Sequence, residues 1–128
     1  MLDVPTPKPG PGQVVMRVAA VTTCRQWDLH LQHNEPMFVG HAIRYPYPLG
    51  QPGHEATGMI AAIGPGVTGC AEGDHVSAWR DPGHDVPAAY VQYVVLDAGN
   101  VIHVPAALSP RATASVELAV EGRTRLVR

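Results

Sequence analysis

Cysteine is scarce in this chain of 128 residues: there are two, Cys24 and Cys70. Two thiols make no disulfide framework, so a packed core must hold the fold, and reduced thiols suit the cytosol. No Cys-x-x-Cys pair is present, which speaks against a structural zinc lobe. Aromatic residues are also few, 5% of the chain. The core must then be built mostly from Val, Ala, Ile and Leu. No apolar run approaches the roughly 20 residues of a membrane helix. Net charge is −2 with the signs mixed, and no basic block points to nucleic acid or an anionic membrane. The opening "MLDVPTPKPG" lacks the charged head and apolar core of a secretory signal.

Glycine and proline, by contrast, are plentiful, 13 of each. They lie between apolar runs and predict many turns rather than low complexity. The runs "QVVMRVAAV" (13–21), "ATGMIAAIG" (56–64), "DHVSAW" (74–79), "YVQYVVLDA" (90–98) and "NVIHVP" (100–105) read as short strands. "CRQWDLHLQH" (24–33) places Trp27 and Leu31 one helical turn apart, with Leu29 nearby, and predicts a short helix. Residues 34–53 form a long, proline-rich loop, and such loops often carry function. Ser109 and Pro110 suit the cap and first position of a helix through "RATASVELAVE", stopped by Gly122. A basic tail, 121–128, follows. The expectation is one mainly-β domain over 1–120, a Greek-key barrel or sandwich.

His54 and Glu55 raise a chemical question, because they stand side by side where the chain enters a strand. Burying such groups is costly unless they are paired or bind a metal. Zinc takes thiolate, imidazole and carboxylate ligands, and catalytic sites draw them from distant positions. Cys24, thirty residues before His54, completes a possible set, with Glu55 or Glu117 as the third ligand. Neighbours on an extended chain point to opposite faces. Glu55 must therefore either turn in beside His54 or stand behind it. Spacing alone leaves the blander reading open, in which Cys24 is a buried thiol and His54 a corner residue. His30 and His33, one turn apart, could bind a metal, but exposed helix residues are the commoner reading. His41, His75, His84 and His103 are read as surface or hydrogen-bonded residues. Trp27, Phe38, Tyr45 and Tyr47 either line a cleft or pack under the long loop. "GPGVTG" (64–69) fits G-x-G-x-x-G, but no helix follows it. It reads as a turn between strands.

The run Gly53-His54-Glu55, with Gly58, Gly64 and Val67, resembles the zinc-containing alcohol dehydrogenase signature of the medium-chain dehydrogenase/reductase family. "VPTPKPGPGQVVMRV", "CRQWDLH", "GPGVTGCAEGDHV", "AAYVQYVV" and "VIHVPAALSP" are similar to that family's catalytic domain in order and spacing, over roughly residues 3–120. The resemblance implies a GroES-like, partly open β-barrel holding one catalytic Zn²⁺. It implies oxidation of alcohols or polyols, or reduction of carbonyls, with NAD or NADP. It makes Cys24 and His54 zinc ligands, Glu55 the glutamate beside the metal, and Glu117 the carboxylate that replaces a cysteine ligand in sorbitol-dehydrogenase-like branches. It makes Asp28 the residue orienting the zinc histidine, and His30 a proton relay.

The sequence also departs from the family. Three residues, not two, separate Cys24 from Asp28, and no hydroxyl clearly matches the usual proton carrier. Thr22 and Thr23 are the nearest substitutes. "RDPGHDVPAA" stands where a four-cysteine lobe is usual. No strand, glycine-rich turn and helix with a following acid is found, so a Rossmann domain would have to come from elsewhere. The leading expectation is thus the catalytic part of a zinc-dependent, cytoplasmic dehydrogenase. Its partners would be a small alcohol, polyol or carbonyl substrate, and a second copy or a subunit carrying a Rossmann domain. Two alternatives stand beside it: a free-standing zinc enzyme doing non-redox Lewis-acid chemistry, and a non-catalytic binding or assembly module.

Overall fold

The computed structural model describes residues 3–37, 39–78 and 85–114. The elements in chain order are β1 (Gln13–Thr22), α1 (Arg25–His33), β2 (Glu55–Ile63), β3 (His75–Ala78), β4 (Tyr93–Asp97), β5 (Val101–His103) and α2 (Pro110–Thr113), with a 3₁₀ turn at Ala98–Asn100. The β-branched runs thus form strands and the Trp27/Leu31 segment forms a helix. No described helix is long and apolar enough to cross a membrane.

The strands form one five-stranded sheet in the order β4-β1-β2-β3-β5. Every pairing in it is antiparallel. The run β4-β1-β2-β3 is the Greek-key order, in which a fourth strand returns to lie beside the first. The β1–β2 ladder is the longest, from Val14 opposite Ile63 to Thr22 opposite Glu55, with register shifts at Val15/Met16 and Val18/Ala20. Such irregularities bend a strand and let a sheet curl. Gly58 sits where β2 runs close to β1: a Cβ there would lie 2.1 Å from the Arg17 carbonyl oxygen.

Val14 and Met16, two apart on β1, point into a core with Ala56, Ile60, Val76, Ala89 and Val94. Cys70 packs against this core and is a free thiol, like Cys24. "GPGVTG" is a turn, with Gly66 and Gly69 at positive φ, and it leads to β3 rather than to a helix. β4 starts at Tyr93 rather than near Tyr90. The segment before it bonds elsewhere: Ala88 N–H donates to Leu49, Ala89 to Gly53 and Tyr90 to Gly50. Residues 88–90 thereby tie down the end of the long loop.

α1 buries Trp27 and Leu31 and leaves Leu29 39% exposed. Asn34, in the left-handed conformation, caps its end by donating to the His30 and Leu31 carbonyls. In α2 the Ser109 hydroxyl accepts from Ala112 N–H and Pro110 takes the first position. A buried polar clip fastens α2 to the sheet. The Thr113 hydroxyl donates to Thr57 Oγ1 at 3.1 Å, and Thr57 donates to the Val76 carbonyl at 2.9 Å. Ser77 Oγ lies 3.1 Å from the carbonyls of both Ala56 and Thr113. The expected continuation of this helix to Gly122, with Glu117, and the tail 121–128 lie outside the described residues.

Candidate metal centre

The β1–β2 ladder brings the two halves of the site together. Thr22, the last residue of β1, pairs with Glu55, the first of β2. Cys24 follows two residues after Thr22, in the extended N-cap position of α1. His54 immediately precedes Glu55. The result is that Cys24 Sγ, a ring nitrogen of His54 and a carboxylate oxygen of Glu55 all lie within 4.8 Å of one another. His54 stands outside the ladder. Strict strand alternation therefore does not bind it, and Glu55 turns in beside it.

Packing holds each group. The His54 ring stacks on the indole of Trp27, with centroids 4.5 Å apart and planes at 22°. Trp27 is fully buried, and its Nε1 donates to Gln51 Oε1 at 3.2 Å. Gln51 Nε2 in turn donates to the Val86 carbonyl at 2.9 Å. Gly50, at φ 81°, leaves no room for a side chain, since a Cβ would lie 1.9 Å from the Ala88 carbonyl oxygen. The corner carrying His54 is thus fixed to residues 86–90. An apolar cleft there is lined by Met16, His54, Ala56, Pro87, Ala89 and Leu96.

Glu55 is 2% exposed. Its Oε2 accepts a hydrogen bond from the Thr22 hydroxyl. Its Oε1 is buried and has no hydrogen-bond partner among the described residues. A buried carboxylate oxygen without a donor is costly, and a cation at the shared position would relieve that cost. The donor set suits zinc. Bonds of about 2.0–2.3 Å in a tetrahedron hold ligand atoms roughly 3.3–3.8 Å apart, a separation that small side-chain rotations would reach. With the thiol and carboxyl ionised, two negative charges would balance a divalent ion. The Tyr90 hydroxyl has its pKa raised by burial first, and then by the negative charges of Asp28 and Glu55.

The remaining expected site residues are placed as follows. Asp28 lies in the first turn of α1, its N–H donating to the Cys24 carbonyl at 3.0 Å. His30 is outside the cluster, in a shallow depression with Gln26, Leu29, His33 and Glu35. Its Nδ1 lies 2.9 Å from the Glu35 carbonyl oxygen. Glu117 and Phe38 lie outside the described residues. Tyr45 and Tyr47 join hydroxyls at 2.7 Å and reach the Leu31 carbonyl at the end of α1. Trp27 packs under the loop and directly against His54. Sequence reasoning missed that stack, the Gln51 brace and the Thr22–Glu55 bond. Thr22 stood out only as a spare hydroxyl near the cysteine.

The profile of the alcohol dehydrogenase GroES-like domain matches residues 10–106. Among curated relatives, an L-threonine 3-dehydrogenase from Pyrococcus horikoshii is 30% identical over 86% of this chain and 36% of its own. An alcohol dehydrogenase from Rhizobium meliloti is 31% identical over 83% and 36%. Among solved structures, an NAD-dependent alcohol dehydrogenase superposes with a TM-score of 0.73 at 27% identity, over 91% of this chain and 38% of that one. The chain spans about a third of the length of these relatives.

Proposed function

Because the chain belongs to the alcohol dehydrogenase GroES-like domain family, we propose that it is the metal-holding catalytic domain of a zinc-dependent alcohol or polyol dehydrogenase. The observation that carries this reading is the convergence of Cys24, His54 and Glu55 within 4.8 Å around a buried, unpartnered carboxylate oxygen. The domain is taken as residues 1–120. Glu117 remains a proposed further ligand. When bound, zinc would supply Lewis acidity that lowers the pKa of an alcohol hydroxyl. The substrate would be a small alcohol, polyol or carbonyl compound, as the names of the relatives suggest. The redox chemistry would need NAD or NADP, held by a Rossmann domain. That domain would be joined to this segment or brought by a partner.

The chain's own residues orient this site. Cys24 and Glu55 supply the negative charge that selects a divalent cation. The face of Trp27 fixes the plane of the His54 ring. His30 would serve at the periphery. A carbonyl can only accept, so His30 Nδ1 must be the donor to Glu35, which leaves Nε2 of the neutral ring free to take a proton. The test is spectroscopic and catalytic. Cobalt-substituted protein is expected to change its visible spectrum on adding small alcohols, and zinc-loaded protein with a Rossmann domain in place is expected to reduce NAD or NADP. A cobalt spectrum that no alcohol, polyol or carbonyl compound perturbs, together with no nicotinamide-dependent oxidation, would contradict the assignment.

A further inference from the structure

We propose that Thr22 is a positioning residue for the metal centre, its hydroxyl holding Oε2 of Glu55 so that Oε1 is the atom left to meet the cation. The proposal rests on the metal reading above. It starts from the ladder: Thr22 and Glu55 are directly opposed on β1 and β2, and directly opposed side chains are near enough to interact. The Thr22 hydroxyl has one proton, and it goes to Oε2. The remaining oxygen is buried and finds no donor among the described residues.

The two side chains differ in stiffness. The terminal torsion of a glutamate is broad, so an untethered Glu55 carboxylate could rotate through many orientations at little cost. A threonine is restricted at χ1 and here sits in a hydrogen-bonded strand. Thr22 therefore lends Glu55 the rigidity that glutamate lacks. The same stretch of backbone runs on to Cys24 two residues later, so one strand end sets both the thiol and the carboxylate. A threonine that merely satisfied a buried carboxylate would matter for stability alone. A positioning threonine matters for metal affinity, and only while Glu55 is present.

The experiment is a Co²⁺ titration of the dialysed chain, read by the thiolate-to-cobalt absorption and checked for folding by circular dichroism. Thr22→Val is expected to weaken cobalt binding by about 10-fold or more, the usual cost of losing a group that orients a ligand. Thr22→Ser, which keeps the hydroxyl, is expected to restore wild-type affinity and spectrum. In a Glu55→Ala background, Thr22→Val is expected to cost nothing further. Unchanged affinity in Thr22→Val, or the same loss with and without Glu55, would overturn the role. Should the valine variant not fold, Thr22→Ala removes the same hydroxyl: weakened binding supports the role and full affinity overturns it. A wild-type chain that binds no cobalt would overturn the metal reading and, with it, the role of Thr22. Wild-type binding that the hydroxyl-free variants match would overturn the role of Thr22 alone.

Discussion

Two buried polar clusters lie two residues apart on the same strand, and they are finished differently. At Thr57 the Thr113 hydroxyl donates to that of Thr57, and the hydroxyls of Thr57 and Ser77 close on backbone carbonyls. At Glu55 one oxygen is held by Thr22 and the other has no donor among the described residues. The first cluster is a fastening, which pins α2 to the sheet. The second has the form of a receptacle, positioned on one side and open on the other. A fold can carry an unsatisfied buried group only if the rest of the structure over-determines it, and here a long β1–β2 ladder and the Trp27–Gln51 brace do so.

Substitutions can break that contrast. Trp27→Ala should have the largest effect, because it empties a fully buried site and removes the surface under His54. Loss of about 3–5 kcal/mol of stability is expected, with weakened metal binding; thermal melting and cobalt titration read the two. Thr57→Val should lose about 1–2 kcal/mol, since it removes the Thr57 hydrogen bonds to Thr113 and to the Val76 carbonyl, and should leave metal affinity unchanged. A change in affinity there would mean that the two clusters are coupled. Glu55→Gln should act in the opposite sense. In metal-free protein it removes a buried charge and is expected to leave the melting temperature unchanged or higher, by up to about 1 kcal/mol of stability, while metal binding weakens. A large loss of metal-free stability would show that Glu55 belongs to the fastening class.

The smallest effect is expected away from both clusters. The hydrogen bond from Tyr47 to Tyr45 raises the Tyr47 pKa from 10.0 to about 12. The folded state therefore holds this proton more tightly than the unfolded chain. Its small stabilising share is complete below pH 10 and fades as pH rises towards 12. Absorbance titration of the phenolates should show one group ionising late. Tyr45→Phe should bring it back down with almost no change in stability, as is usual for exposed positions.

Much of this fold was legible in the sequence, and the reasons are local. β-branched runs marked the strands, the Trp27/Leu31 spacing marked α1, and Ser109-Pro110 marked the start of α2. The candidate ligands Cys24, His54 and Glu55 stood out too, as the residue types zinc prefers in a family-like pattern, and the structure brings them within 4.8 Å of one another. What was not legible depends on pairing across 33 residues of chain. That Thr22 faces Glu55 follows from ladder register, and the two register shifts on β1 leave no trace in composition. Strand alternation left open whether Glu55 turns in beside His54, because nothing local shows that His54 lies just outside the ladder. The late start of β4 has the same origin, since residues 88–90 are claimed by the loop that carries Gly50 and Gly53.

The central claim is that Cys24, His54 and Glu55 hold one divalent ion. Elemental analysis of zinc-supplemented, exhaustively dialysed protein, beside its Cys24→Ala and His54→Ala variants, tests it most directly. The account expects close to one zinc per wild-type chain and almost none in either variant. Wild-type protein retaining no more zinc than the two variants would contradict it.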